Sequence, residues 1–184
     1  MTIQLGLEQK QSAKGWKVGD PLSSVRAITS EWLTDVVSSA TPGALVTDFR
    51  VSPVSTGTQT RYRIHVSYNE KGTGAGLPET LFTKTLPTAK NRVMSGITAL
   101  RESKFYTTVR PQLNLELPHC YETTVDNNTY AALHLLENLV ESKGAIFPDY
   151  RDYISCEKAE QIVDLLATLH GTFYGILQLE NEVK

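Results

Sequence analysis

The 184-residue sequence predicts an α+β fold in which a five-stranded antiparallel sheet is interrupted by one long helix. Three observations support this prediction. Large apolar residues alternate with period two through 60–69, which is typical of a strand with one buried face. Helical spacing replaces that period at 90–113, between the third and the fourth strand-like run. The most strongly helical segment, 155–177, follows the last strand.

The composition favours one continuous globular unit without a strong charge. With 18 basic and 20 acidic residues the net charge is −2, so neither nucleic acid nor an anionic membrane surface is predicted as a partner. Cys120 and Cys156 can form at most one bridge, which argues against a secreted disulfide framework and for a cytoplasmic protein. The N-terminus lacks a signal-peptide pattern, and no segment reaches the roughly 18 apolar residues of a membrane span.

The first half of the chain is predicted to contain an arm, a short helix and three strands. Residues 1–28 are polar and lack a period, so they are assigned to an N-terminal arm. A short amphipathic helix follows within 29–43, with Thr29 or Ser30 as its cap. Short connections then favour an antiparallel meander of strands. These strand-like runs are 44–54, 60–69 and 79–86.

The second half is predicted to contain a long helix, two more strands and a final helix. The long helix has apolar residues at helical spacing, among them Val93 and Ile97, and stops before Pro111. Two strands at 117–124 and 129–139 are joined by a turn. The final helix has Ser155 as its predicted cap.

Three other features, namely a glycine-dense segment, a pair of aspartates and the histidines, are assigned structural roles. The glycine-dense segment 71–78 precedes a strand instead of opening a helix, so it is predicted to be a flexible hairpin loop. Asp149 and Asp152 are interpreted as a helix cap or a solvated turn. The four histidines have no metal-ligand spacing with one another or with the cysteines and are predicted to be structural.

A lysine lies within the third strand-like run, where a charged side chain is costly to desolvate. Alternation places Lys84 on the same face as Phe82 and Leu86, so the lysine needs an anionic partner. Glu102, 18 positions later on the predicted helix, shares a helical face with Phe105 and is turned inward. Protein kinases use such a pair to hold nucleotide phosphates. The alternative is a lysine whose stem covers apolar surface, beside a solvated glutamate.

The Ser-Thr-Gly-Thr turn at 55–58 precedes this lysine and joins the first two strands. A hairpin at this place could cover phosphates, with the backbone amide of Gly57 or Thr58 donating to a phosphate oxygen. A single glycine accounts equally well for an ordinary hairpin turn, so both interpretations stay open.

Five segments resemble, in their order and character, the small-molecule kinase family that includes aminoglycoside phosphotransferases and choline kinases. They look closest to its ecdysteroid-kinase-like branch. The segments are LPETLFTKTLP, RESKFYTTV, LPHCYET, LHLLENL and ISCEKAEQIVDLLATLHGTFYG. The resemblance covers about residues 29–175. It implies a protein-kinase-like N-terminal lobe and hinge over 29–139, followed over 140–184 by the start of an incomplete helical C-terminal lobe.

The resemblance also implies roles for individual residues. Lys84 matches the phosphate-binding lysine, and Glu102 matches the helix glutamate that orients it. Leu136 matches the residue at the back of the nucleotide pocket, and the hinge would read the adenine edge through the Glu137 carbonyl and the Leu139 amide. The implied ligand is ATP, and the implied substrate of a full-length protein is a small-molecule hydroxyl. Mg²⁺ is expected only with the complete C-terminal lobe.

The catalytic loop of the family has no counterpart in this sequence. Its aspartate follows a histidine by two positions, whereas none of the four histidines here is followed in that way. The residues at those positions are Ser67, Tyr121, Leu136 and Thr172. We therefore expect the N-terminal part of a kinase-like protein that binds nucleotide weakly without turning it over. The alternative is a non-catalytic module that uses the final helix, apolar on several sides, to bind a partner or a second copy.

Overall fold

The computed structural model of the protein describes residues 25–174 and confirms an α+β fold built on a five-stranded antiparallel sheet. The strands are β1 (Val46–Thr56), β2 (Thr60–Tyr68), β3 (Thr80–Thr85), β4 (Cys120–Val125) and β5 (Ala132–Glu137). Their order across the sheet is β1-β2-β3-β5-β4, and every neighbouring pair is antiparallel. The predicted interruption after the third strand is therefore correct.

Five α-helices accompany the sheet in the described part of the chain. They are α1 (Ser30–Val37), α2 (Glu70–Gly74), α3 (Ala89–Lys104), α4 (Leu139–Lys143) and α5 (Cys156–Phe173). A 3-10 turn precedes α1 at Val25–Ala27, and α3 continues into a π turn at Phe105–Val109 and a 3-10 turn at Arg110–Gln112. Over residues 25–174, no helix has both the length and the apolar character that crossing a membrane requires.

The main core lies between α1 and one face of the sheet. Apolar side chains from both layers are buried there. They include Trp32, Leu33, Ile64, Leu81 and Leu135. Of the two predicted caps of α1, the structure has Thr29, whose Oγ1 accepts a hydrogen bond from the Trp32 amide at 3.1 Å. The helix ends at Val37, well before the predicted Pro-Gly stop. Of the predicted arm, 1–24 lies outside the described residues, and Ile28 joins this core.

α3 packs on the opposite face of the sheet through its smallest side chains. Its buried residues are Ser95, Gly96 and Ala99. Val93 and Ile97, on which the helix prediction rested, point outward and are 87% and 60% exposed. Small residues allow the helix axis to approach the sheet closely. The same face of α3 carries Glu102 inward, as predicted.

The glycine-dense segment is not a flexible loop in its first half, so that prediction is wrong for 71–74. These residues belong to α2, which is capped by Asn69. Asn69 Oδ1 accepts a hydrogen bond from the Gly72 amide at 3.0 Å, and Asn69 Nδ2 donates to the Gly43 carbonyl at 2.9 Å. The asparagine therefore ties α2 to the connection before β1, and this tertiary support offsets the low helix propensity of glycine.

α5 begins at the predicted cap, where Ser155 Oγ accepts a hydrogen bond from the Lys158 amide at 3.2 Å. None of its residues is buried within the described part of the chain. Leu165 and Leu166 are 47% and 44% exposed. The predicted continuation of this helix to 177 lies partly outside the described residues, which end at 174.

Candidate functional site

A row of polar side chains crosses the centre of the sheet on the side covered by α3. Strand register places Arg61 of β2 opposite Lys84 of β3, Lys84 opposite His134 of β5, and His134 opposite Thr123 of β4. Residues directly opposite each other in antiparallel strands project to the same face. These four side chains therefore lie side by side, and we call them the polar row.

The carboxylate of Glu102 pairs with the lysine of the polar row. Lys84 Nζ donates to Glu102 Oε1 at 2.6 Å, and the two side chains are 24% and 18% exposed. The structure thus brings together the two residues that the sequence pattern placed on facing surfaces. An ammonium group has three donors. Glu102 is the one acceptor that Lys84 contacts within residues 25–174, so donors remain for an external anion.

A glutamine that the sequence reasoning missed holds the second oxygen of this carboxylate. Gln59 is buried and directly precedes β2, and its Nε2 donates to Glu102 Oε2 at 3.1 Å. Burial raises the pKa of Glu102, but the opposing effects of His134, Lys84 and Gln59 outweigh it and hold that pKa below its usual value. The carboxylate is therefore ionised at neutral pH. No motif in the sequence marks Gln59, although it directly follows the predicted phosphate-covering turn.

His134 is fully buried beneath the ion pair. Its Nδ1 lies 2.7 Å from Thr123 Oγ1, and its Nε2 lies 3.8 Å from Glu102 Oε2 without a hydrogen-bond partner in the described part of the chain. Burial lowers the pKa of His134 to about 4, against the raising effect of Glu102 and with a further lowering from Lys84. The ring is therefore neutral at pH 7. A proton on Nε2, with the Thr123 hydroxyl donating to Nδ1, directs the positive edge of the ring towards the carboxylate.

The turn between β1 and β2 is fastened to the start of α3. Asn91 Nδ2 donates to the carbonyls of Gly57 and Thr58, both at 3.3 Å. The Gly57 amide donates to the Gln59 carbonyl at 3.1 Å, so it is engaged inside the turn. Of the two predicted phosphate donors, the Thr58 amide is the one without an acceptor among the described residues.

The residue predicted at the back of the nucleotide pocket lies next to the polar row. Leu136 is buried on β5, opposite Phe82 of β3 and Cys120 of β4. Because side chains two residues apart on a strand share a face, this apolar group adjoins the polar row on the α3 side. Burial raises the pKa of the Cys120 thiol to about 12, so the thiol stays protonated and behaves as a small apolar group.

The predicted hinge residues lie where β5 leaves the sheet. The Glu137 carboxylate accepts hydrogen bonds from the His119 amide at 3.0 Å and from Ser142 Oγ at 2.7 Å, so its side chain is fixed by the protein. Leu139 is the first residue of α4. The amide of a first helical residue has no acceptor within its own helix. The Leu139 amide can therefore donate to an external group.

Comparison with known protein families, with curated proteins and with solved structures found no match to this chain. The resemblance to small-molecule kinases therefore rests on the five sequence segments. Within residues 25–174, no cluster of three or more His, Cys, Asp or Glu side chains could hold a metal ion. The described residues form a half-buried cationic site in which the Glu102 carboxylate fixes the Lys84 ammonium, and an apolar surface borders this site.

Proposed function

We propose that this chain is the nucleotide-binding lobe of an ATP-dependent phosphotransferase that acts on a small-molecule hydroxyl. The observation that carries the proposal is the 2.6 Å contact between Lys84 and Glu102. One carboxylate oxygen fixes the ammonium, and Gln59 fixes the other oxygen. An ammonium held in this way can meet phosphate oxygens without first being ordered by the ligand.

The remaining parts of the surface fit the same ligand. In this proposal the Thr58 amide of the β1–β2 turn donates to a phosphate, and the Glu137 carbonyl and the Leu139 amide at the end of β5 bond to the base edge. His134 and Glu137 are three residues apart on β5, about 10 Å in an extended strand. This spacing leaves room for a ribose between the base and the phosphates.

The affinity of this arrangement is expected to be low. The Lys84 side chain is 24% exposed, so water screens its interaction with a phosphate. The described residues supply no metal cluster that would add to the attraction. We expect a dissociation constant on the order of 0.1–1 mM, which corresponds to about 4–5.5 kcal/mol. We also expect no turnover, because the sequence lacks the catalytic loop of the family.

A non-catalytic binding or dimerisation module is the second candidate. It is favoured by the apolar residues of α5, of which Ile162, Leu165 and Leu166 are each more than two-fifths exposed. A homodimer formed through α5 would bury them. Sedimentation over a wide concentration range tests this candidate, since a monomer at every concentration would contradict the dimerisation form.

Titration by NMR with ATP and with adenosine tests the nucleotide site. Lys84→Ala should weaken ATP binding about five- to ten-fold and leave adenosine binding nearly unchanged, because adenosine has no phosphate for the ammonium to contact. Lys158→Ala, at an exposed position of α5, is the matched control and should change neither affinity. Equal losses for the two ligands, or unchanged signals around Lys84 at millimolar ATP, would contradict the proposal.

A further inference from the structure

Two cations, Lys84 and Arg61, lie side by side in the polar row, and within the described part of the chain a carboxylate contacts only Lys84. Arg61 is directly opposite Lys84 on the neighbouring strand. Like charges at directly opposite positions of an antiparallel pair destabilise a sheet. Glu102 neutralises Lys84, whereas the guanidinium of Arg61 contacts the neutral Ser55 Oγ at 3.4 Å. Within residues 25–174, Arg61 takes part in no ion pair, so one positive charge of this pair is uncompensated.

The neighbouring arginine of β2 differs in this respect. Arg63 projects from the same face two residues further along, and its guanidinium lies 3.9 Å from Glu141 of α4. Its charge is thus offset by an acidic group of the protein. Arg61 is half-buried, and it lies three residues after Thr58, whose amide has no acceptor among residues 25–174. The uncompensated charge therefore lies beside both the lysine and the turn of the candidate site.

We propose that Arg61 binds a phosphate group of the same ligand whose phosphates Lys84 contacts. Facing residues of paired strands have Cβ atoms about 5 Å apart, so the guanidinium and the ammonium can reach neighbouring phosphoryl groups. Arginine presents a planar fork of donors that matches phosphate oxygens. The site then selects ligands with two or three linked phosphates over monophosphates. This inference rests on the proposed function for the nucleotide part of the ligand, and it extends that function to the polyphosphate part.

A ligand-binding role and a structural role of Arg61 predict different changes in the melting temperature of the ligand-free Arg61→Gln variant. If the role of Arg61 is to bind an anionic ligand, Arg61→Gln removes a like-charge contact from the free protein. The melting temperature without ligand then stays the same or rises. If the contact with Ser55 instead stabilises the hairpin, the melting temperature falls. Thermal unfolding of the free variant therefore separates the two roles before any ligand is added.

Calorimetric titrations of the full chain with ATP, AMP and inorganic tripolyphosphate complete the test. Arg61→Gln should weaken ATP and tripolyphosphate binding about five-fold and AMP binding less than about two-fold. Arg50→Gln, an exposed arginine on β1, removes the same charge from the same sheet and is the matched control. It should leave the three affinities within about two-fold of the wild type.

The possible results distinguish this inference from the proposed function. If Arg61→Gln binds ATP with the same affinity as the wild type, the inference about Arg61 is overturned and the proposed nucleotide site is unaffected. Arg61-dependent binding of tripolyphosphate, without any response to adenosine, would support the inference and contradict the nucleotide assignment. A lowered melting temperature of free Arg61→Gln would overturn the inference in favour of a structural role. Failure of the wild type to bind ATP or tripolyphosphate would overturn both.

Discussion

Lowering the pH from 7 to 5 should destabilise the protein through His134. Burial lowers the pKa of this histidine to about 4, from an ordinary value of 6.5. Between those values the unfolded chain binds a proton that the native protein does not bind. The stability that the neutral ring contributes is therefore fully present above pH 6.5 and is lost as the pH falls towards 4.

The two pKa values set the size of this effect. Proton linkage between them gives a loss of about 2 kcal/mol in the free energy of unfolding between pH 7 and pH 5. The pKa of Glu102 is lowered, so its own contribution is lost at a lower pH, as the pH falls below its ordinary value of 4.5. Burial raises the pKa of Glu122, which favours the native state as the pH falls and partly opposes the histidine. A histidine variant is needed to isolate the contribution of His134.

Urea unfolding at pH 7 and pH 5 measures the difference. His134→Gln has a side chain that does not titrate, so it should lose about 2 kcal/mol less than the wild type over this interval, whatever its stability at pH 7. His170→Gln, at an exposed position of α5, is the control for replacing a histidine by glutamine outside the buried site. Equal losses of unfolding free energy in the wild type and in His134→Gln would show that His134 does not cause the pH dependence. An NMR titration in which the His134 ring protonates near pH 6.5 would show the same.

Three further substitutions test the packing around the site by urea unfolding. Glu102→Gln should destabilise the protein by about 1–2 kcal/mol and weaken ATP binding, because it removes a half-buried ion pair; an unchanged midpoint would show that the pair contributes nothing. Gln59→Leu should cost about 1 kcal/mol, because Glu102 Oε2 loses its amide donor, and an unchanged stability would contradict the contact. Gly96→Ala should cost about 1–3 kcal/mol, since its added Cβ would lie 2.5 Å from Tyr130 Cγ. Gly74→Ala, where the Cβ meets nothing within 4 Å, is its control and should be near neutral.

The sheet and the central ion pair were predictable because short-range periods determine both. In an extended strand, alternation alone decides that Lys84 shares a face with Phe82, and the strong period of β2 fixes the register of its neighbours. A helical period turns Glu102 towards the same side. Each step uses residues within a few positions of one another, and the two elements are joined by a short connection.

Other features depend on contacts between residues far apart in the sequence. Gln59 and Glu102 are 43 residues apart, and nothing local indicates that they meet. α2 forms because Asn69 binds both its first turn and the distant Gly43 carbonyl, which outweighs the glycine content. Val93 correctly indicated a helix, but it does not lie on the face of that helix that is buried. The close approach of α3 to the sheet selects small residues for the interface, and spacing alone does not reveal that selection.

A crystal structure of this chain with a non-hydrolysable ATP analogue would show most directly whether Lys84 binds the phosphates of a nucleotide. We expect phosphate oxygens about 3 Å from Lys84 Nζ, with the Lys84–Glu102 contact kept and the base edge bonded to the Glu137 carbonyl and the Leu139 amide. An analogue bound elsewhere on the surface, with Lys84 contacting Glu102 and no phosphate, would contradict it. So would phosphates at Lys84 with the base directed away from the end of β5.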